Sequence, residues 1–512
     1  MPEIGKHLAV IDLPGIKDFV FGAGRLVEIR GASGLLDHLN RNQIPDLLRG
    51  KLGADHVECV FAGGGAGQFI LEADAPAIQE ALTAANGLVF AESGGALRLS
   101  WGLAPLSEAY PETLKAAFLD LDRQKNERPF HASSPLHAGF VRQCDSCAGM
   151  ASNFSVFGGE KRLLCKACLK KENFGRKRGL WRDFAKYLRQ EGMDAESARE
   201  LRPQDFDEIG KRSARNGYTA LVYADGNSMG KIVKSIHSKQ EFRDFSFAVD
   251  AAIREACYEA IACCCPPVRD KIPADILLLG GDDLLVYLTA ETAFPFALEA
   301  ARRFEEKTRD KLAASDSANA FQPWIEAGGL TISLGIAFGK SHTPISILLD
   351  QAEELMTLAK RKGLESRPDA LVAPAYLDFH LTTRFNQVGV GETRRTHLTL
   401  KTAAGEDLRL HQGPYALPDA RDMWTHAEQL ASSEIPRSRL HRLGMAPSRG
   451  KADGTVETLI QYGRAKAGEQ RQLIAEALKR FDCLENMPWR PVKEGHTTAL
   501  VELIELAEFT RG

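Results

Sequence analysis

The 512-residue sequence contains no apolar run near the roughly 18 residues of a membrane-spanning helix, so no membrane span is expected. Its opening stretch, Met1 to Asp12, has neither a basic start nor a long apolar core, and no secretory leader is expected. Neither sign of charge dominates: 65 Lys and Arg face 68 Asp and Glu, a net charge of -3. That excludes a global basic field for nucleic acid, so any such contact is local or made through partners. The ten cysteines do not form a disulfide-like framework. Four of them make two C-x-x-C pairs, and Cys263-Cys264-Cys265 read as small buried side chains at the end of an apolar helix. This usage favours a cytoplasmic protein with one metal site. What is present is an ordinary globular composition, 44% hydrophobic and 26% charged, with length for about three or four domains.

Two segments alternate strand-like and helix-like patterns. In the first, His7 to Asp12 predicts a strand, Arg25 to Asn40 a helix, Cys59 to Leu71 a glycine hairpin and Ala96 to Leu103 a strand. In the second, Tyr218 to Ala224 predicts a strand and Phe242 to Cys263 a helix. Ile276 to Leu288 follows as a hairpin, Leu330 to Phe338 as a strand and Ile345 to Arg361 as a helix. Between the segments lie a short cysteine-bearing stretch and a polar helical stretch from Trp181 to about Arg212. After residue 386 come extended segments and then helices such as Thr455 to Phe481.

The two segments read as copies. Asp12 and Asp225 each end a strand, and a serine follows each at the same interval, Ser33 and Ser246. A glycine hairpin comes next in both, then Ser100-Trp101-Gly102 in one and Ser333-Leu334-Gly335 in the other. The repeated order β-α-β-β-α-β is the ferredoxin-like split motif. The expected fold is therefore α+β: two ferredoxin-like palm domains, an inserted four-cysteine zinc ribbon and a mainly helical C-terminal domain. The expected limits are 1–135 and 216–385 for the palms, 136–180 for the zinc element, 181–215 for a helical linker and 386–512 for the last domain.

The second copy holds Gly280-Gly281-Asp282-Asp283 between two apolar strands. Two acids at the tip of an apolar hairpin are costly unless solvated or paired with a cation. The split-motif order brings Asp225 beside that tip, and three clustered carboxylates suit a two-metal clamp of Mg²⁺ or Mn²⁺ for in-line phosphoryl displacement. Alone, the same four residues also make an ordinary turn. Gly226, Asn227 and Ser228 open a helix whose free N–H groups favour a triphosphate, or simply cap it. Lys360, placed near the end of its predicted helix, is the cation best set to reach a phosphate, or to complement the helix dipole.

The first copy keeps Asp12 but has Gly63-Gly64-Gly65 where the second has its acids. One carboxylate does not hold two metals, whereas a glycine turn lets a nucleotide approach the backbone closely. The expectation is one catalytic copy and one copy that binds a second nucleotide. Cys144-x-x-Cys147 and Cys165-x-x-Cys168, 17 residues apart, have zinc-ribbon spacing. Four thiolates leave no open position, so one structural Zn²⁺ is expected there. The alternative is two reduced thiol pairs in a loop.

Asp225-Gly226-Asn227, the Gly-Gly-Asp-Asp turn, the four-cysteine element before it and the glycine-only first copy together resemble the large polymerase/cyclase subunit of type III CRISPR effector complexes. Asp12 to Phe19 with Arg30-Gly31-Ala32-Ser33 is similar to that family's first palm, and the resemblance spans about residues 7 to 385. It implies synthesis of cyclic oligoadenylates from ATP, switched on by target RNA bound to guide RNA and partner effector subunits. It also implies metal binding by Asp225, Asp282 and Asp283, and nucleotide contacts by Ser246 and Lys360. Many members begin with a metal-dependent HD nuclease domain. This sequence has no His-Asp dipeptide, so no DNA cleavage of that kind is expected. Two other readings stand beside this one: a free-standing cyclic-dinucleotide synthetase of GGDEF type, and a scaffold subunit that makes nothing.

Overall fold

The computed structural model describes residues 5–127, 142–157, 159–177, 179–194, 200–215, 217–382, 388–402, 404–466 and 468–510. The expected domain limits at 135/136 and 385/386 lie outside the described residues.

The first sheet is built from β1 (Gly5–Asp12), β2 (Val57–Gly63), β3 (Ala66–Ala73) and β4 (Ser100–Pro105), in the order β2-β3-β1-β4 and antiparallel throughout. A cysteine-bearing hairpin of β5 (Asn153–Phe157) and β6 (Glu160–Leu164) follows. The second sheet contains β7 (Tyr218–Gly226), β8 (Ala274–Gly280), β9 (Asp283–Thr289) and β10 (Ile332–Lys340), ordered β8-β9-β7-β10. The two orders are the same, so the repeat read from spacing is a repeat of topology. Even the irregularities recur: β2 slips register between Cys59 and Phe61, and β8 between Ile276 and Leu278.

Strand alternation distributes the core. Ala220, Val222 and Ala224 of β7 join one apolar cluster, and Leu221 and Tyr223 join the other. The first long helix of each copy, Leu26–His38 with its continuation to Gln43 in one and Lys239–Cys264 in the other, packs on the other copy's hairpin, against β8 and β2 respectively. Residues Arg30, Ser33, Asp37 and Arg41 along the first recur at a constant offset as Arg243, Ser246, Asp250 and Arg254 along the second. They pair reciprocally. Arg30 bonds Asp275 of β8, while Arg243 Nη2 lies 2.6 Å from Glu58 of β2. Arg41 Nη2 lies 2.5 Å from Asp250, while Arg254 Nη2 lies 2.8 Å from Asp37. This is an isologous interface folded into one chain.

Several elements differ from expectation. The last strand of the first copy, β4, starts at Ser100 rather than Ala96. The Ile345 helix runs on to Ser366 and stops two residues before Pro368, so Lys360 sits inside it and not at its end. The polar stretch from Trp181 is no continuous helix: Trp181–Gln190 ends before Gly192 at φ 98°, and a short turn, Phe206–Gly210, follows Pro203. The stretch from Thr455 is two helices, Lys451–Arg464 and Glu469–Arg480, separated by Gly468 at φ 91°. Of the three adjacent cysteines only Cys265 is buried; Cys263, in the frayed last turn, is exposed.

The C-terminal region is mainly helical and leans on the second palm. A parallel strand, β11 (Tyr376–Leu381), extends the second sheet beyond β10. After β12 (Thr399–Lys401) and β13 (Asp407–Arg409), β14 (Tyr415–Ala416) pairs with β11. Residues beyond 386 thus contribute a strand to the palm sheet. With β15 (Arg490–Val492) and β16 (Gly495–Thr497), β12 and β13 form a separate small sheet. Phe509 stacks on Phe338 of β10, with ring centroids 4.7 Å apart.

Candidate active site

β7 is apolar on both faces until Asp225, its penultimate residue, which lies opposite Ser333 of β10. β8 and β9 are joined by the tight turn at Gly280 to Asp283, with Gly281 at φ 65°. A residue with a side chain is strained there, whereas glycine is not. Because β9 runs beside β7, the turn arrives at the end of β7 that carries Asp225. Gly226 packs flat against Asp282: a Cβ at Gly226 would lie 2.7 Å from the Asp282 Oδ2 atom.

The electrostatics follow from this crowding. Burial and the nearby Asp225 carboxylate push the Asp282 carboxyl up to about 6. Burial, Asp282 and Asp225 push Asp283 up to about 7, against the pull of Lys17 and a hydrogen bond with Tyr223. Lys360 forms an ion pair with Asp225. The donors are all carboxylate oxygens, a set suited to Mg²⁺ or Mn²⁺, and the raised proton affinities of Asp282 and Asp283 mark a turn short of positive charge. The three carboxylates do not all approach within 4.8 Å of one another, so they are gathered but not closed on one ion.

The first palm repeats part of this arrangement. Lys125 Nζ lies 2.7 Å from Asp12 Oδ2 at the end of β1, as Lys360 pairs with Asp225 at the end of β7. Lys17, also from the first palm, pairs with Glu353 and lies 5.9 Å from the ring centroid of Tyr223. Neither lysine stood out in the sequence. The only available signal was the repeat, which places Lys125 in the helix after β4 as Lys360 follows β10.

Other expected nucleotide contacts are placed differently. Ser33 is buried and donates its hydroxyl to the Leu277 carbonyl. Asn227 is buried too: its Nδ2 donates to Thr331 at 2.9 Å, and its Oδ1 accepts from Ser333 at 3.0 Å. Both side chains are thus engaged inside the protein. Ser228, at φ 62°, turns the chain into the Met229–Ser235 helix, and its Oγ accepts from the Ala373 N–H. Ser246 is half-buried on the Lys239–Cys264 helix, one turn before Asp250. The Gly63 to Gly65 turn abuts the acid turn, so that a Cβ at Gly64 would lie 3.8 Å from Gly280. Gly65, at φ 86°, holds a left-handed conformation that favours glycine.

The four cysteines are together. Among the described residues, Cys144, Cys147, Cys165 and Cys168 are the one group of metal-ligating side chains whose donor atoms all lie within 4.8 Å. This cluster fits structural zinc. It is tied to the first palm by buried Arg162, which reaches Glu28 at 2.8 Å and Glu172 at 3.1 Å.

Residues 218–367 match the family model described as Cas10/Cmr2, second palm domain. That segment is similar to the second palm of Cas10/Cmr2 proteins. No curated protein matches it in sequence. Among solved structures it is similar to Csm1 from T. onnurineus, with 16% identity and a TM-score of 0.56, covering 100% of this chain and 70% of that one. It is also similar to a Csm1-Csm4 cassette in complex with cA4, with 14% identity and a TM-score of 0.57, covering 99% and 70%. The Csm1-Csm4 cassette in complex with AMPPNP aligns at 14% identity and a TM-score of 0.53, with the same coverage. At these identities the likeness is one of fold. Asp225, Asp282 and Asp283 all lie within the matched residues 218–367. Among the described residues no helix is long and apolar enough to cross a membrane.

Proposed function

We propose that this protein converts ATP to cyclic oligoadenylate as a subunit of a type III CRISPR effector, when target RNA pairs with the guide. The observation that carries the reading is the crowded, cation-poor set of Asp225, Asp282 and Asp283 in a palm that matches Cas10/Cmr2. Asp225, Asp282 and Asp283 would hold two divalent ions, which supply charge neutralisation at the transferring phosphoryl group. Lys360 places a fixed positive charge at the same strand end, where a donor triphosphate is negative. The Asp12–Lys125 pair gives the first palm a weaker version of the same platform, suited to an acceptor nucleotide. A ribose hydroxyl of the acceptor forms a bond to the α-phosphorus of the donor, and the bond to pyrophosphate breaks.

The test is to incubate the chain, alone and with effector subunits, guide and target RNA, with each NTP and Mg²⁺ or Mn²⁺. Products are then identified by mass spectrometry. Cyclic oligoadenylate from ATP supports the reading. A cyclic dinucleotide moves the protein to the GGDEF type of chemistry, and no product under any condition makes it a scaffold.

A further inference from the structure

The acid turn is gripped from outside. Asp250, on the Lys239–Cys264 helix of the second palm, is 9% exposed. Its Oδ1 accepts the N–H of Gly281 at 3.2 Å, in the middle of the Gly-Gly-Asp-Asp turn. The same oxygen lies 2.5 Å from Arg41 Nη2, contributed by the first palm. Its other oxygen takes Arg254 Nε at 3.1 Å, and Arg254 Nη2 donates to the Leu279 carbonyl at 3.3 Å, one residue before the turn. Arg254 also reaches Asp37 of the first palm at 2.8 Å. A turn in the left-handed region has little side-chain packing to hold its shape. Here its backbone is tied at two points to a four-member ion network that spans both copies.

We infer that Asp250 is a positioning residue for Asp282 and Asp283, and that Arg41 makes their placement depend on docking of the first palm. The inference rests on the proposed reading of the acids as metal ligands. Outer groups that orient ligands are worth about 10–100-fold in metal affinity or activity. The pair Arg243–Glu58 crosses the same interface with the same chemistry but touches no part of the turn, so it separates positioning from adhesion.

The test is Mn²⁺ binding to the full chain with AMPPNP, with ATP turnover and a thermal melt on each variant. Asp250→Ala should weaken Mn²⁺ binding by about 10-fold or more. Asp250→Asn, whose amide oxygen still accepts the Gly281 N–H, should lose less. Arg41→Ala should fall between them, with partial recovery in Arg41→Lys. Glu58→Gln should bind Mn²⁺ as the parent does. Unchanged binding in Asp250→Ala overturns the inference, as does an equal loss in Glu58→Gln, which would reduce the network to adhesion. Asp282→Ala/Asp283→Ala is run alongside. If that variant also binds Mn²⁺ normally, the assignment of the metal site fails, and the inference with it.

Discussion

Lys125 of the first palm reaches Asp12 at 2.7 Å, the same pairing that Lys360 makes with Asp225 in the second. The two copies therefore share a strand-end aspartate held by a helix lysine and differ in the turn beside it. One turn is glycine only; the other adds Asp282 and Asp283. The difference in charge between two equivalent sites is what assigns them different roles.

The cysteine cluster predicts about one zinc per chain. Four thiols within 4.8 Å have a common occupant in Zn²⁺, and such sites contribute directly to folding. Metal analysis after chelator-free purification should find it. Cys168→Ala, which removes a buried ligand, should release the metal and lower the melting temperature. A metal-free preparation with unchanged stability would exclude a structural metal.

The buried Arg30–Asp275 pair predicts a large effect from half-removal. The two side chains are 5% and 1% exposed, and Arg30 also donates to the Pro203 carbonyl. Asp275→Ala leaves an uncompensated guanidinium in the interface and should cost about 3–5 kcal/mol. Glu58→Ala breaks the equivalent pair where solvent reaches it, and should cost about 1 kcal/mol or less. Denaturant unfolding checks both, and equal costs would contradict the burial argument.

Parts of this were legible in the sequence. Asp282 and Asp283 stand out because acids interrupt an apolar hairpin, and Asp225 because it ends an apolar strand. The repeat was legible from spacing alone. The interface was not: Arg41 and Asp250 lie far apart in the chain, and each reads as an ordinary helix-surface charge until the copies are superposed. The internal partners of Ser33 and Asn227, the Leu277 carbonyl for one and the Thr331 and Ser333 hydroxyls for the other, were not legible, because each partner lies more than 100 residues away in the chain. In the C-terminal region, strands of two or three residues carry no period to detect.

Glu505, on the last helix (Leu500–Thr510), predicts a pH effect on stability. Burial, then repulsion from Glu502 and Glu508, pushes its carboxyl up from 4.5 to about 8. The folded state then binds more protons than the unfolded state between those values, so the group's contribution to stability falls as pH rises through that window. Glu505→Gln should flatten that slope and melt higher than the parent above about pH 8. Parallel melting curves for the two proteins across pH 5 to 9 would show that Glu505 titrates normally.

The most direct measurement is product analysis from ATP for the parent chain and for Asp282→Ala/Asp283→Ala, under the conditions that best activate the parent. Loss of the clamp should reduce cyclic oligoadenylate by orders of magnitude, while the variant stays folded, since removing mutually repelling acids relieves a cost. A folded double variant that makes the same product at the parent's rate would show that the chemistry lies elsewhere.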